Sequence, residues 1–257
     1  MTQPLVVKVG GSTLGSHDTA LEDIAALHAA GRRIIVVHGG GNTGTEWLKI
    51  HDIANEFVDG LRVTNADAID VVTAVFAGLV NKQLVADLRG LGAPAFGLCG
   101  VDGGLLETRQ LDQRLGFVGE VSAVDARPLE TLLDAGYLPV IGPVGFWQDG
   151  DKTRLMNVNA DTVAGEVAAA VGAAALVFLT DVAYVRDGSG DNLQELRPAE
   201  VEGLIAGGAA SGGMIPKLRA GARAAEAGVG CSIIDGREAH ALRRVLDGVE
   251  LGTRVTV

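Results

Sequence analysis

Apolar runs of five to eight residues alternate with longer stretches of helical periodicity along almost the whole chain. The apolar runs are rich in Val, Ile and Leu, a composition typical of parallel strands that are covered on both faces. They predict strands at 5–9, 33–38, 93–99, 137–143, 175–182 and 230–236. The stretches between them predict helices at 18–30, 65–91, 160–173 and 215–228. Strands that alternate with helices build right-handed βαβ units, so an α/β fold with a mainly parallel sheet is expected.

Three further features of the sequence bear on the organisation of the fold. Residues 105–125 carry polar turns around "GFVGEV" and are predicted to form a hairpin. The longest apolar run, 167–180, is too short to span a bilayer and is predicted to be a helix end followed by a core strand. Because no Pro- or Ser-rich linker divides residues 1–257, the chain is expected to fold as a single domain.

The charge and composition of the chain exclude some classes of protein. The formal net charge is −11 and aromatic residues make up 4% of the sequence, whereas a general nucleic-acid binder needs a basic face and stacking rings. Cys99 and Cys231 lie far apart without metal-ligand spacing, which is typical of buried thiols in a reducing cytosol. The start "MTQPLVVKVGG" lacks the basic n-region of a signal peptide, so a cytoplasmic protein without a membrane segment is expected.

Glycine-rich turns follow several of the predicted strands, and two such turns lie near a lysine. In open α/β sheets, ligands bind at the carboxyl ends of strands, where backbone N–H groups can hold phosphate or carboxylate. Lys8 precedes Gly10 and Gly11 within an apolar strand, where a lysine requires a carboxylate partner or an anionic ligand. Lys217 follows a glycine pair near the start of a helix, against the preference of the helix dipole, which favours a role facing a ligand.

The stretch "MNVNAD" at 156–161 offers further polar side chains just before an Ala-rich helix. Asn159 or Asp161 could cap this helix by accepting hydrogen bonds from its first N–H groups. Alternatively, these side chains could face a ligand together with Asn157. The residues alone leave both interpretations open.

Taken in order, the motifs of the chain resemble those of the amino acid kinase family, and among its members those that phosphorylate N-acetyl-L-glutamate. The motifs extend over nearly the whole chain: "KVGGS" at 8–12, "VVHGGG" at 36–41, "GLRVT" at 60–64, "NK" at 81–82, "DGG" at 102–104, "GYLPVI" at 136–141, "MNVNAD" at 156–161, "LTDV" at 179–182, "GGMIPK" at 212–217 and "GTRV" at 252–255. One motif alone would be unspecific, whereas the complete ordered set is specific.

The resemblance implies the amino acid kinase fold, a three-layer αβα sandwich with a mainly parallel central sheet, divided into two lobes. Residues 1–174 would bind the acyl substrate and form a homodimer, and residues 175–257 would bind ATP. The implied reaction transfers the γ-phosphoryl group of ATP, which arrives with Mg²⁺, to the side-chain carboxylate of N-acetyl-L-glutamate in arginine biosynthesis. That carboxylate is already ionised at neutral pH, so the reaction needs no general base.

By the same resemblance, each motif supplies part of the site. Lys8 and Lys217 would flank the transferred phosphoryl group, and Asp161 would hold the two lysines in place. Arg62 would bind the α-carboxylate of the acyl substrate with its planar guanidinium. The other implied contacts are Gly40, Gly41 and Asn157 for the acyl substrate, Gly10 and Gly11 for phosphate, and Asp181, Val182, Ala183, Tyr184, Val185, Arg186, Ala209, Ala210 and Ser211 for ATP.

The chain departs from the family pattern in two places. Asn42 and Thr43 follow "HGGG", where relatives commonly carry a proline or another apolar residue. The chain also begins at its first predicted strand, without the N-terminal helix that ties arginine-inhibited relatives into hexameric rings. By this comparison we expect a homodimer that is insensitive to arginine.

Three other functions fit parts of this sequence less well. A kinase of the same fold in lysine biosynthesis could act on aminoadipate or glutamate carried on a small acidic protein, although "DGLRVT" at 59–64 fits free N-acetyl-L-glutamate better. A non-catalytic nucleotide-binding regulator would be expected to lack Lys8, Asp161 or Lys217, and all three are present. A dinucleotide-dependent oxidoreductase would carry the spacing G-x-G-x-x-G, which "VGGSTLG" does not match, and an acidic residue after the second strand, where "VVHGGG" stands instead.

Overall fold

Strands and helices alternate along the part of the chain that the computed structural model describes, residues 2–10 and 19–256. The strands are β1 (Leu5–Val9), β2 (Ile34–His38), β3 (Phe57–Val58), β4 (Leu61–Arg62), β5 (Ala95–Cys99), β6 (Leu106–Gln110), β7 (Gly119–Val124), β8 (Leu138–Gly142), β9 (Val144–Asp149), β10 (Lys152–Asn157), β11 (Ala175–Thr180), β12 (Val185–Arg186), β13 (Asn192–Leu193), β14 (Glu195–Leu196), β15 (Cys231–Asp235) and β16 (Thr253–Val255). The α-helices are α1 (Ala20–Ala29), α2 (Gly41–Ile50), α3 (Ala66–Thr73), α4 (Asn81–Gly90), α5 (Arg127–Asp134), α6 (Ala160–Ala170), α7 (Pro198–Ala206), α8 (Met214–Glu226) and α9 (Ala241–Leu246).

An eight-stranded sheet forms the centre of the molecule, in the order β14-β16-β15-β11-β1-β2-β8-β5. The strands from β15 to β5 in this order run parallel. At the opposite edge β16 pairs antiparallel with β15, and β14 pairs parallel with β16. Each predicted strand is present within two residues of its expected bounds, so the mainly parallel sheet is confirmed.

Helices cover both faces of this sheet. On one face, Val6 and Ile35 pack with side chains from α5, α6, α7 and α8. On the other face, Val7 and Ile34 pack with side chains from α1, α4 and α9. Burial of each aliphatic side chain stabilises the fold by about 1.5–3 kcal/mol relative to exposure, so the two apolar layers hold the sheet in place. The three-layer αβα sandwich is therefore confirmed.

Several elements lie outside the predicted alternation. A second, four-stranded sheet has the order β10-β9-β6-β7, and its antiparallel β6–β7 pair confirms the hairpin predicted at 105–125. The small β3–β4 hairpin and helix α2 were not predicted. Helix α2 has the sequence GNTGTEWLKI and buries only Gly44 and Leu48, so its apolar periodicity is too weak to identify it from the sequence.

The helix predicted at 65–91 is helical from Ala66 to Gly90, with a π-helical segment at Ala74–Val80 between α3 and α4. By length and composition this stretch could cross a membrane, in contrast to the run 167–180 considered in the sequence. However, its residues Leu84 and Leu88 are buried against the central sheet, and core helices of water-soluble domains pass the same length test. The helix is thus weak support for a membrane span.

Candidate active site

The carboxyl ends of β1 and β2 open onto a cavity of about 200 Å³. Six of the residues predicted for the site line it, namely Lys8, Gly40, Gly41, Arg62, Asn157 and Asp161. Gly10 is buried directly after β1, and Gly11 lies outside the described residues. The structure thus brings together side chains that are far apart in the sequence, at the sheet edge where ligands of α/β proteins bind.

At one end of the cavity a carboxylate lies between two ammonium groups. The Nζ atom of Lys8 is 2.8 Å from Asp161 Oδ1. The Nζ atom of Lys217 donates to both carboxylate oxygens of Asp161 over 3.1 Å. All three residues are buried, with 6–8% of their surface exposed. Their contacts make one charged cluster that joins β1, α6 and α8.

Local structure explains why Asp161 faces the lysines. Asn159 is the N-cap of α6, and its Oδ1 accepts from the backbone N–H groups of Asp161 and Thr162. Because Asn159 caps the helix, the Asp161 carboxylate is free to bind the two ammonium groups. Of the two candidates for the cap, the structure selects Asn159, while Asn157, Asn159 and Asp161 all line the cavity.

The charges of the cluster do not cancel. Burial tends to raise the pKa of Asp161, but the ammonium groups of Lys8 and Lys217 outweigh it, so the pKa lies below its usual value and the carboxylate stays ionised. Burial lowers the pKa of Lys217 and Lys8 lowers it further, while Asp161 opposes this shift. The Phe178 ring also lies 5.1 Å from Lys217 Nζ. Two cations and one anion leave one positive charge to attract an anionic ligand.

A close approach of α6 and α8 determines the distance between Asp161 and Lys217. Gly165 lies one turn after Asp161 on α6, where a Cβ atom would be 2.7 Å from the carbonyl oxygen of Ala220 on α8. The backbone of α8 could accommodate a Cβ atom at that distance only if one of the two helices shifted. Glycine at position 165 therefore permits the helix packing that brings the carboxylate to the ammonium group.

We expect Gly165→Ala to lower the free energy of unfolding by about 1–3 kcal/mol, because the added methyl group overpacks the α6–α8 contact. Urea unfolding measures this effect. The matched control is Gly203→Ala on α7, where an added Cβ meets no atom within 4 Å. There alanine is expected to leave stability unchanged or to raise it by up to about 1 kcal/mol, since it reduces the entropy of the unfolded chain. Equal losses in both variants would contradict the packing argument.

At the other end of the cavity lies the guanidinium group of Arg62, which is 6% exposed. Its Nη2 donates to the carbonyl oxygen of Gly41 over 2.9 Å and to Thr45 Oγ1 over 3.1 Å. Its Nη1 donates to Asn55 Oδ1, and the Phe57 ring lies 4.6 Å from its Cζ. Sequence reasoning missed Thr45, Asn55 and Phe57, because their motifs carry no signal and only the fold places them around Arg62.

Asn157 is joined to the same region through Thr64. Its Nδ2 donates to Thr64 Oγ1 over 3.0 Å, and that hydroxyl group donates to the carbonyl oxygen of Arg62 over 2.9 Å. Thr64 was also missed by sequence reasoning, although it belongs to the motif "GLRVT". These hydrogen bonds connect the end of β4, which carries Arg62, to the end of β10, which carries Asn157, and so hold the two residues in place.

The glycine-rich turn that follows β2, formed by Gly39, Gly40 and Gly41, is the wall between the two ends of the cavity. Gly40 is the N-cap residue of α2, and Gly41 begins the helix, so N–H groups of its first turn lack intrahelical partners. A Cβ atom on Gly40 would lie 2.8 Å from Cδ1 of Phe76, which explains the glycine at this position. Asn42 follows in the first turn of α2 and is exposed to solvent, away from the lining of the cavity.

The residues predicted to bind ATP occupy several places in the structure. Ala209 lines a cavity of about 460 Å³ beside α7, whereas Ala183 and Tyr184 line a small cavity beside β15. Val185 and Ala210 are buried in the same apolar cluster. Within residues 2–10 and 19–256, no group of three or more His, Cys, Asp and Glu side chains is arranged to hold a metal ion.

A larger cavity, of about 630 Å³, lies beside the β3–β4 hairpin. It shares Leu61, Val118 and Asn159 with the smaller cavity. The three arginines in its lining, Arg114, Arg219 and Arg223, are paired with Asp112, Glu202 and Glu166 respectively. The unpaired positive charge therefore lies at the smaller cavity, which is the candidate active site.

Comparisons with known proteins agree with this geometry. A model of the family described as "Amino acid kinase family" matches residues 3–235. A protein named acetylglutamate kinase from Dehalococcoides mccartyi is 44% identical over 255 residues, covering 98% of this chain and 94% of the relative.

Solved structures share the fold. The protein smu.665 from Streptococcus mutans UA159 has a TM-score of 0.84 and 28% identity, over 100% of this chain and 99% of that one. Carbamate kinase from Giardia lamblia bound to AMP-PNP has a TM-score of 0.74 at 15% identity, over 99% of this chain and 98% of that one. At that identity the second similarity shows the fold alone.

Proposed function

The chain belongs to the amino acid kinase family, and from this premise we propose that it is an acetylglutamate kinase. It transfers the γ-phosphoryl group of ATP to the side-chain carboxylate of N-acetyl-L-glutamate. The products are N-acetyl-L-glutamyl 5-phosphate and ADP, and the step belongs to arginine biosynthesis. Among the known relatives, those with this name cover nearly the whole chain, which supports this activity over a carrier-linked kinase.

The observation that carries the proposal is the buried cluster Lys8–Asp161–Lys217 at one end of a cavity that has Arg62 at the other. The acceptor of this reaction carries two carboxylates. One must be held away from the reaction, and the other must approach a phosphoryl group that is itself anionic. A cavity with separate cationic ends matches that charge distribution.

The difficulty of the reaction is the approach of an anionic nucleophile to a polyanionic phosphoryl group. The acceptor carboxylate is ionised at neutral pH, so no proton needs to be removed from it. In our proposal the ammonium groups of Lys8 and Lys217 lie on either side of the transferred phosphoryl group and neutralise charge that spreads over its oxygens in the transition state. Asp161 holds both lysines in position. Mg²⁺ enters with ATP and is bound mainly by its phosphates.

The other predicted contacts complete the proposed site. Arg62 binds the α-carboxylate of N-acetyl-L-glutamate and Asn157 its amino-acid end. Backbone N–H groups of Gly40 and Gly41 face the acceptor and the incoming phosphoryl group, and those of Gly10 and Gly11 face phosphate oxygens. The ATP contacts are assigned to residues 181–186 and 209–211. In this scheme, residues 1–174 form the acceptor lobe and residues 175–257 the nucleotide lobe.

By the family resemblance we also propose that the protein acts as a cytoplasmic homodimer. Light scattering on the purified protein measures this directly, with a mass twice that of the chain as the expected result. A monomer or a hexamer would contradict the homodimer.

Measurement of ADP release with different acceptors tests the proposed activity. Free N-acetyl-L-glutamate is expected to support turnover, with trapping of the acyl phosphate by hydroxylamine in proportion to ADP. Free glutamate and 2-aminoadipate serve as the comparison acceptors and are expected to support little turnover. Absence of turnover with N-acetyl-L-glutamate would contradict the proposal.

Replacing Arg62 with alanine is expected to raise KM for N-acetyl-L-glutamate by about 10- to 100-fold, because a charged hydrogen bond contributes about 1.5–3 kcal/mol. KM for ATP is expected to change little. Steady-state kinetics with each substrate varied in turn distinguish these effects. Arg109→Ala, at an exposed arginine on β6, is the control and should leave both constants unchanged. An unchanged acceptor KM in Arg62→Ala would show that another group binds the carboxylate.

A further inference from the structure

A hydrogen-bond network of polar side chains lies next to the glycine-rich turn, and the proposed reaction does not use it. His38 ends β2 and Asn81 begins α4, and both residues are fully buried. Lys82 follows Asn81 and is the member of the network nearest the solvent. Buried polar groups cost free energy unless their hydrogen bonds are made, so their partners indicate what they hold in place.

The donors and acceptors of this network can be assigned in order, starting from Lys82. Lys82 Nζ donates to Asn81 Oδ1 over 2.9 Å. Since an ammonium group can only donate, the Asn81 amide turns Oδ1 toward Lys82 and Nδ2 toward the sheet. There Nδ2 donates to the carbonyl oxygen of Val140 over 2.9 Å and to His38 Nε2 over 3.1 Å. His38 Nε2 is therefore an acceptor, and the imidazole proton lies on Nδ1.

This Nδ1–H group donates to the carbonyl oxygen of Gly39 over 2.7 Å. Burial lowers the pKa of His38 to about 4, and the charges of Lys8 and Lys82 act in the same direction, although the Gly39 hydrogen bond opposes them. The imidazole is thus neutral at physiological pH. A second proton would set two donors against each other at Nε2, which explains why the neutral form fits the network.

The hydrogen bond to Gly39 determines where the next N–H group points. The peptide between Gly39 and Gly40 is planar and trans, so the carbonyl oxygen of Gly39 and the N–H group of Gly40 point in opposite directions. His38 is buried below the turn, and its hydrogen bond holds the carbonyl group inward. With glycine on both sides, this peptide could otherwise rotate at small cost and turn a carbonyl oxygen toward the anion-binding cavity.

Neighbouring residues support the same arrangement. Phe76 lies within the π-helical segment Ala74–Val80, and Asn81 follows directly after it. Hydrogen bonds of a π-helix join residues five apart, the separation of Phe76 and Asn81. The Phe76 ring contacts Gly40, as described above. On β5, a Cβ atom at Gly97 would overlap Asn81 Oδ1 and lie 2.8 Å from Lys82 Nζ. Glycine at 97 leaves the space that the network occupies.

We propose that His38 is a positioning residue, which keeps the N–H group of Gly40 turned toward the cavity so that it binds the anionic acceptor during phosphoryl transfer. Asn81 and Lys82 act further back by holding the imidazole in the Nδ1–H tautomer. The identity of the anion rests on the proposed function, whereas the tautomer rests on the contacts of the network.

His38→Leu tests this role by removing the donor to Gly39. We expect kcat/KM for N-acetyl-L-glutamate to fall about 100-fold, because a small displacement of a binding group has effects of that size. Binding of an ATP analogue, measured by calorimetry, should be unchanged. Leu88→Ala is the structural control, since Leu88 is fully buried on α4 and away from the turn. An equal fall in kcat/KM in both variants, or none in His38→Leu, would overturn the proposal.

Nitrogen-15 NMR of the wild-type protein provides a readout that needs no substrate. His38 should be neutral, with its proton on Nδ1, from pH 8 down to about pH 5. Asn81→Asp replaces the donor to Nε2 with a carboxylate, so the pKa of His38 should rise. An Nε2–H tautomer in the wild type, or an unchanged pKa in Asn81→Asp, would overturn the network. If N-acetyl-L-glutamate were not phosphorylated, the proposed function would fail without changing these two results.

Discussion

Replacement of Lys217 by methionine should lower kcat by about 10³-fold or more, while the affinity for an ATP analogue falls less than about tenfold. Methionine keeps most of the buried volume but removes the ammonium group that we place beside the transferred phosphoryl group. The charge is needed chiefly in the transition state, when negative charge spreads over the phosphoryl oxygens. The effect is therefore expected in kcat, as steady-state kinetics with calorimetric binding of the analogue would show.

This variant is expected to remain folded, because the pair Lys8–Asp161 that it leaves is balanced in charge. Circular dichroism and thermal unfolding check this point. Lys49→Met, at an exposed lysine on α2, is the matched control and should keep the wild-type kcat. If Lys217→Met retained kcat within tenfold of the wild type, the lysine would not act on the transition state.

Asp161→Asn is expected to lower the free energy of unfolding by about 3–5 kcal/mol, because it leaves two buried ammonium groups without their shared counter-charge. The repelled lysines should also lose their positions, so turnover is expected to be lost. Urea unfolding at neutral pH measures the first effect. Asp149→Asn is the control: Asp149 is paired with Arg154 at the surface, where an ion pair contributes at most about 1 kcal/mol.

The pH dependence of the unfolding free energy provides a second test of the Asp161 ion pairs. The two lysines hold the pKa of Asp161 below its usual value of 3.8. A carboxyl group with a lowered pKa in the folded state stabilises the protein above its unfolded pKa, and the contribution is lost as the pH falls through the folded value. The difference in unfolding free energy between the wild type and Asp161→Asn should therefore be constant near neutral pH and decrease below about pH 4. A difference that grew on acidification would contradict the ion-pair cluster.

The sequence predicted most of the fold because burial leaves a strong local pattern. Strands β1, β2 and β11 are covered on both faces and consist mainly of apolar residues. Helix α2 and the β3–β4 hairpin were missed, since short, polar or glycine-containing elements depend on tertiary contacts. The π-helical segment Ala74–Val80 also has no local signature in the sequence.

By itself, the sequence determined the parallel αβα fold, the resemblance to the amino acid kinase family and the candidate charges Lys8, Arg62, Asp161 and Lys217. The parallel sheet and the interest of Lys8 and Lys217 follow from residue type and spacing, which are local properties, whereas the αβα sandwich and the roles of Arg62 and Asp161 are implied by the resemblance. Only the tertiary structure decided that Asn159 caps α6 and thereby leaves Asp161 to bind both lysines. The tautomer of His38 was likewise decided by partners on other elements. Electrostatic and hydrogen-bond interactions act over a few ångströms, so they can be assigned only once folding has brought distant residues together.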